Sequence, residues 1–364
     1  MRLIVLDKNF DTLGSIPLFR TLIWIRRYEK AGCFELYSSK DYFDLLNTGR
    51  YLYRNDADEL GMITEVNYTQ DENGGREAYA KGYFAEFLLG DRVIHPTAIL
   101  NGNIEDEMRK LVTAYAINPS DAKRAVKHLR LGKIFGVDKT LDAQITGDNL
   151  SEKLYDIGNA FEVSHRIRYD FQTNDLAFEV WQGKDRRDSQ TENSWAIFSN
   201  SFYNIRNVVY NRNDISYKNF AYVAGAGEGA ARIVVEVDAR ADPDEERKEI
   251  YVDARDLQQQ DGNGNVIPLD TYKAQLVQRG KEKLAEYRKV ETVESSVDYL
   301  ANLVYKTDFD LGDLCTYVNT EINVMTDKRI TEIMETYEGG ATEITVTFGT
   351  DEVSTVHQLI RREV

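Results

Sequence analysis

Ile63-Thr64-Glu65-Val66, near the start of the chain, returns near its end as Ile330-Thr331-Glu332-Ile333. In both places β-branched residues alternate with polar ones, which is typical of a half-buried strand. A match of four residues in a chain of 364 can arise by chance, so the flanking sequence must decide whether the two stretches are related.

The residues around the two stretches follow the same order. Each stretch is preceded by a glycine-led segment, followed by a Gly-Gly turn, and completed by a strand that runs to another glycine. These segments are Gly49-Arg50-Tyr51-Leu52 and Gly312-Asp313-Leu314-Cys315, then Gly74-Gly75 and Gly339-Gly340, then Gly82 and Gly349. The order predicts one β-module used twice, with the second copy at residues 297–348. The alternative is two unrelated hairpins that share common turn chemistry.

Composition and charge narrow the class of protein. A chain of 364 residues with 42% hydrophobic and 29% charged residues predicts a soluble globular protein of two to four domains. The formal net charge is −16, from 45 basic and 61 acidic residues. Since nucleic acids are held by clustered Lys and Arg, this balance argues against tight nucleic-acid binding.

The sequence shows no membrane or export signal. Its apolar runs, such as Leu3 to Leu6, are far shorter than the roughly 20 residues that a membrane-spanning helix needs. The N-terminus lacks a signal-peptide pattern, so we expect the protein to stay in a cytoplasm or to leave by lysis. Cys33 and Cys315 have no disulfide or metal-site spacing and are predicted to be buried, inert thiols in strands.

Strand and helix patterns predict a mainly β fold with an α+β insertion. We divide the chain into a first β-barrel-like domain at 1–97, an α+β domain at 98–190, and a second β-barrel-like domain at 191–364 that contains a helix at about 271–289. Close packing would explain why Gly280 stands in that helix. Other helices are predicted at 105–116 with Asn103 as cap, at 121–129, and after Asn149.

Motifs that could carry chemistry are weak. Gly225-Ala226-Gly227-Glu228-Gly229-Ala230 fits the dinucleotide fingerprint, but strand-like sequence follows where a helix is needed. Asp261-Gly262-Asn263-Gly264-Asn265 resembles a calcium loop without its later ligands. The histidines are scattered, at His95, His128, His165 and His357. We therefore predict no catalytic, cofactor-binding or metal-binding residue, no cofactor, and no enzyme activity.

Several stretches of the chain, taken in order, resemble the tail-tip (baseplate hub) protein family of siphoviruses and prophages. They run from about residue 28 to residue 349, and the overall plan is also similar to the hub of contractile tails. The stretches are Tyr28-Glu29-Lys30-Ala31-Gly32-Cys33-Phe34-Glu35-Leu36, Leu88-Leu89-Gly90-Asp91-Arg92, Gly225-Ala226-Gly227-Glu228-Gly229, Val252-Asp253-Ala254-Arg255-Asp256-Leu257, Arg279-Gly280, Tyr305, Phe309-Asp310-Leu311-Gly312-Asp313, Arg329-Ile330-Thr331-Glu332 and Thr347-Phe348-Gly349.

This resemblance implies a homotrimeric ring with two barrel-like domains in each subunit. Such a hub joins the tail tube to the tail tip and lines the DNA exit channel. Its implied partners are the tail tube or distal tail protein and the tail-tip or fibre proteins, and its place is the virion tail, assembled in the host cytoplasm. Many relatives look longer and carry a C-terminal extension that digests cell wall or holds fibres. This chain stops soon after Gly349, so we expect no lytic activity in cis.

Two other classes of function remain open at this stage. One is a tail-associated cell-wall hydrolase or protease, although no nucleophile, metal or paired-acid motif supports it. The other is a receptor- or carbohydrate-binding module, which the content of 22 Tyr and 3 Trp would suit.

Overall fold

The computed structural model describes residues 1–70, 72, 74–229, 232–260, 265–298 and 302–349. The first strands are β1 Leu3–Leu6, β2 Thr12–Ile16, β3 Phe19–Arg27, β4 Cys33–Ser39, β5 Tyr51–Arg54, β6 Leu60–Gln70, β7 Arg76–Phe84, β8 Ala98–Asn103, β9 Leu129–Leu131, β10 Thr140–Ile145, β11 Ser164–Asp170 and β12 Asp175–Trp181. The later ones are β13 Ile197–Ser199, β14 Ile205–Asn213, β15 Phe220–Ala224, β16 Val234–Asp238, β17 Glu249–Asp253, β18 Val290–Val297, β19 Leu314–Asn319, β20 Val324–Glu338 and β21 Ala341–Phe348. The α-helices of the described residues are α1 Ile104–Val112, α2 Leu150–Phe161 and α3 Leu269–Glu286. The predicted mainly β class with an α+β insertion is confirmed.

The chain forms two compact units. The first contains Met1–Gln182, Asn219–Glu286 and Met334–Glu343. The second contains Gly183–Lys218, Tyr287–Ile333 and residues 344–349. Strand β20 therefore belongs to the second unit up to residue 333 and to the first unit from residue 334.

The main sheet of the first unit contains seven strands in the order β3-β4-β7-β6-β5-β1-β2 with antiparallel neighbours, and the outer end of β20 pairs with β3 as a further strand. Among the described strands, the pairing follows an open path and does not close into a ring. The sheet packs on a hydrophobic core whose largest members are Trp24, Phe34 and Phe84, each at most 2% exposed. Burial of these side chains is the main term that stabilises the sheet.

Three smaller sheets complete the first unit. They are β8 with β10, β9 with β12 and β11, and β16 with β15 and β17. The Asn103 side chain caps α1 and the Asn149 side chain caps α2, in each case by accepting from two backbone N–H groups of the first turn, as the sequence predicted. The helix predicted near 271–289 spans Leu269–Glu286.

Two local predictions were wrong. Residues 121–129 do not form a helix: a single 3₁₀ turn, Ala122–Arg124, is followed by extended chain, and Leu129–Leu131 pairs with β12 as a parallel strand. The second β-module also begins before residue 297, because β14 and β18 precede it in the same sheet. Of the described helices, none is long and apolar enough to cross a membrane.

Candidate assembly site

A five-stranded module occurs twice in the chain. The first copy consists of β3 to β7, in the order β3-β4-β7-β6-β5. The second copy consists of β14 and β18 to β21, in the order β14-β18-β21-β20-β19. The two orders correspond strand by strand, although residues 214–289 separate the first two strands of the second copy. The repeat predicted from the sequence is confirmed in its strand order.

The turn glycines of the two copies have the same geometry. Gly49 and Gly312 lie at φ +78° and +82°, a left-handed conformation that favours glycine. The Gly49 N–H donates to the carbonyl oxygen of Ile63 at 2.9 Å, and the Gly312 N–H donates to that of Ile330 at 2.8 Å. Each isoleucine N–H donates back to the residue after its glycine, at 2.8 Å in both copies. The quoted sequence repeat is therefore also a repeat of hydrogen bonds.

A threonine follows each isoleucine and hydrogen bonds across the module. Thr64 Oγ1 donates to the carbonyl oxygen of Lys81, and Thr331 Oγ1 donates to that of Thr347, both at 3.4 Å. Lys81 stands directly before Gly82, whereas Thr347 stands two residues before Gly349. The closing glycines are therefore offset by one position relative to this hydrogen bond.

The copies differ where each module meets the strand beyond it. In the first copy β5 pairs with β1 in antiparallel orientation, and in the second copy β19 pairs with β13 in parallel orientation. Since β1 and β13 lie outside the five shared strands, the duplication covers the module and not its surroundings.

Each unit contains a buried ion pair close to a repeated segment. In the first unit, Arg54 at the end of β5 donates to Glu335 at 2.6 Å, and both side chains are 1% exposed. Burial disfavours the charged guanidinium, but the Glu335 carboxylate outweighs it and raises the pKa of Arg54. The Arg54 guanidinium also lies over the rings of Trp24 and Tyr337.

In the second unit, Arg186 donates to Asp313 at 2.7 Å, and both side chains are almost fully buried. Asp313 directly follows the turn glycine of the second copy. Burial raises the pKa of its carboxyl group although Arg186 opposes the shift. Buried pairs of this kind fix geometry more than they add stability, because their desolvation offsets much of their attraction.

The glycine-rich loop is a connection between strands. Gly225 follows β15, the Ala226 N–H donates to the Tyr272 hydroxyl at 2.8 Å, and the chain continues into β16. A dinucleotide site needs a helix at this point, and a strand stands there. Residues 230, 231 and 261–264 lie outside the described residues, so part of this loop and most of the calcium-like stretch do as well.

The other chemically interesting residues do not converge. Cys315 is buried and Cys33 is half-buried, each within a strand. Burial lowers the pKa of His165 to about 3, and none of the described residues offers a hydrogen-bond partner to either ring nitrogen. His357 lies outside the described residues. Within the described part of the chain, His, Cys, Asp and Glu side chains form no group of three or more that could hold a metal ion.

Solved structures with this fold include three tail proteins, two of them from prophages. The tail protein from Neisseria meningitidis MC58 is 13% identical, with 98% of each chain covered and a TM-score of 0.57. The 43 kDa tail protein of prophage MuSo2 from Shewanella oneidensis is 9% identical, with 96% of this chain and 98% of that chain covered and a TM-score of 0.58. Prophage tail protein gp18 from Listeria monocytogenes EGD-e is 9% identical, with 100% and 98% covered and a TM-score of 0.56.

Sequence comparison gives a more specific assignment than these fold similarities. Among curated proteins, none matches the chain significantly. The model of one protein family, however, matches residues 2–350, which is nearly the whole chain. The chain belongs to the Siphovirus ReqiPepy6 Gp37-like protein family.

Proposed function

We propose that the protein is a structural component of a phage or prophage tail, a hub ring that joins the tail tube to the tail tip and lines the DNA exit channel. The observation that carries the proposal is the repeated five-stranded module, with its matched strand order and turn hydrogen bonds. Membership of a siphovirus protein family and the shared fold of three tail proteins are consistent with it.

A chain that contains the same module twice is suited to a ring-shaped assembly. Three identical chains with two modules each present six similar modules, so a trimer can meet a six-fold tube on one side and a three-fold tip on the other. A head-to-tail interface forms a closed ring when its rotation fits the number of modules. The partners in this proposal are the tail tube or distal tail protein and the tip or fibre proteins.

The charge of the chain suits a DNA channel. Three chains of −16 each carry −48, and an acidic lumen repels phosphate and lets DNA slide. In this proposal residues 1–97 and 191–364 form the two ring domains, and residues 98–190 form an outer domain. The protein is built into the virion tail in the host cytoplasm.

The test is to locate and count the chain in assembled tails. Particles that carry an affinity-tagged copy should bind gold-labelled antibody at one tail end, and cryo-electron microscopy should show three chains in a ring of six modules there. A particle population with the tag on the tube protein serves as a control, because its label should spread along the tail. Label spread along the tail, or a chain absent from particles, would contradict the proposal.

A further inference from the structure

The two copies of the module differ in how their edge strands are covered. In the first unit β3, the first strand of the first copy, has β4 on one side and β20 on the other. The contact with β20 comes from its last residues, since Thr21 Oγ1 donates to the Glu338 carboxylate at 3.0 Å. The outer half of β20 thus extends beyond its own module and adds a strand to the other copy.

The corresponding strand of the second copy is open. Within the described residues, β14 pairs with β18 on one side and with no strand on the other. Thr21 and Trp24 on β3 are buried, whereas most residues of β14 are exposed, including Val209 at 52%. A β-bulge between Arg206 and Val209 interrupts β14, and the residues from Val209 to Asn213 form a regular open edge. An open edge of this kind is a template for pairing with another chain, so natural proteins usually cover it.

In the first copy, the strand that corresponds to β20 also has an edge without a partner strand among the described residues. In the first copy this strand is β6, and β5 covers only its start, residues 60–62. Its outer half pairs with β7 alone among the described strands and ends in four exposed residues, Asn67 to Gln70. Counting from the repeated isoleucines, Tyr68 stands where Glu335 stands in the second copy. Tyr68 is 45% exposed and Glu335 is buried.

These two open edges fit each other, and we infer that the outer half of β6 in one chain adds to β14 of a second copy of this chain. This pairing between two subunits would be equivalent to the pairing of β20 with β3 within one subunit. Alternation of the two contacts would carry one strand pairing around the whole ring. The inference rests on the proposed trimer and names the surfaces that close it.

Charge supports the pairing of these edges. Strand β14 contains two arginines, Arg206 and Arg212, and no acidic residue. Both arginine side chains are more than 60% exposed although each has an acidic neighbour in its own chain. Residues 65–81, from the outer half of β6 into β7, include four acidic and two basic residues, and within the same chain Glu65 pairs with Lys81 and Glu77 with Arg20. Main-chain hydrogen bonds would supply the affinity, and these opposite charges would favour the register.

Cross-linking in assembled particles tests the inference directly. Tyr68→Cys and Val209→Cys are combined in one chain, and particles are treated with a short bismaleimide. We expect covalent dimers and trimers on a denaturing gel. Tyr251→Cys with Val209→Cys is the matched control, because Tyr251 is similarly exposed but lies on β17, a strand of a different sheet. Unsubstituted particles measure the background from Cys33 and Cys315.

A second experiment does not depend on which residues of β6 and β14 lie opposite each other. Val209→Lys should reduce the trimer content of particles on the order of tenfold, because an edge lysine opposes strand pairing. Ile215→Lys, at an aliphatic residue that is 88% exposed outside β14, should leave the trimer content unchanged. Circular dichroism checks that both variants fold.

The outcomes separate this inference from the hub proposal. Trimers that persist in Val209→Lys particles, with cross-links no stronger than in the Tyr251 control, would overturn the β6–β14 contact and leave the hub in place. Particles that contain the chain only as monomers would overturn both.

Discussion

The Arg54 guanidinium and the Glu335 carboxylate lie 2.6 Å apart although 281 positions separate them, and both are excluded from water. The pair joins the end of β5 to the outer half of β20 inside the first unit. Its members come from opposite ends of the chain, so it can form only after nearly all of the protein has been synthesised.

Glu335→Ala should lower the free energy of unfolding by about 3–5 kcal/mol, because it leaves the Arg54 charge buried without its main partner. Arg54→Met combined with Glu335→Leu should recover most of that loss, since neither charge is then buried. Urea unfolding of the single and double variants measures both effects. A double variant as unstable as Glu335→Ala would show that the pair is needed for stability itself.

The turn glycines allow the same substitution to be made in both copies. Gly49→Ala and Gly312→Ala should each cost about 1–2 kcal/mol, because both residues have a positive φ that a Cβ atom disfavours. Gly90→Ala is the control, since its φ is not positive and an added Cβ would meet only Ser151 at 3.9 Å. Thermal unfolding compares the three, and a Gly49 variant as stable as the control would contradict the prediction.

Gly280 is required for packing. A Cβ at this position would lie 2.6 Å from Val237 Cγ2 and 2.7 Å from Val223 Cγ2, inside normal contact distance. Gly280→Ala should therefore destabilise the protein by about 1–3 kcal/mol despite the better helix propensity of alanine. Adding Val237→Ala should relieve part of this cost in a double-mutant cycle, and strictly additive effects would show that the two side chains do not compete for space.

We expect the buried carboxyl group of Glu86 to make the stability of the protein depend on pH. Burial raises its pKa from 4.5 to about 7, although the Ile167 N–H donates to its carboxylate at 2.9 Å. A raised pKa in the folded state means that its contribution is full below pH 4.5 and is lost as the pH rises through about 7. Relative to the unsubstituted protein, Glu86→Gln should gain about 3 kcal/mol in unfolding free energy between pH 4.5 and pH 8. Urea unfolding at both pH values measures the gain, and equal effects at the two would contradict it.

The sequence predicted the parts of the fold that depend on local chemistry. Gly49 and Gly312 impose the same turn in the two copies, so the repeat could be recognised from a few residues. Asn103 and Asn149 likewise act as helix caps because their side chains lie next to the N–H groups that they satisfy.

The predictions failed where distant pairing decides the structure. Residues 121–129 have helical spacing, but Leu129–Leu131 gains more by adding a strand beside β12. The first strands of the second copy were missed because β14 finds β18 only across residues 214–289. The candidate surface on β14 was missed for the same reason, since an open edge is visible only when the whole sheet order is known.

The long separation between β14 and β18 also sets an order of events on the ribosome. Strands β3 and β4 lie five residues apart and can pair as soon as they emerge, whereas β14 must wait for the intervening inserted segment before its partner exists. The early copy is therefore complete while the late copy is still being translated. Strands β3 to β7 can therefore pair with one another before β18 is available to exchange with them.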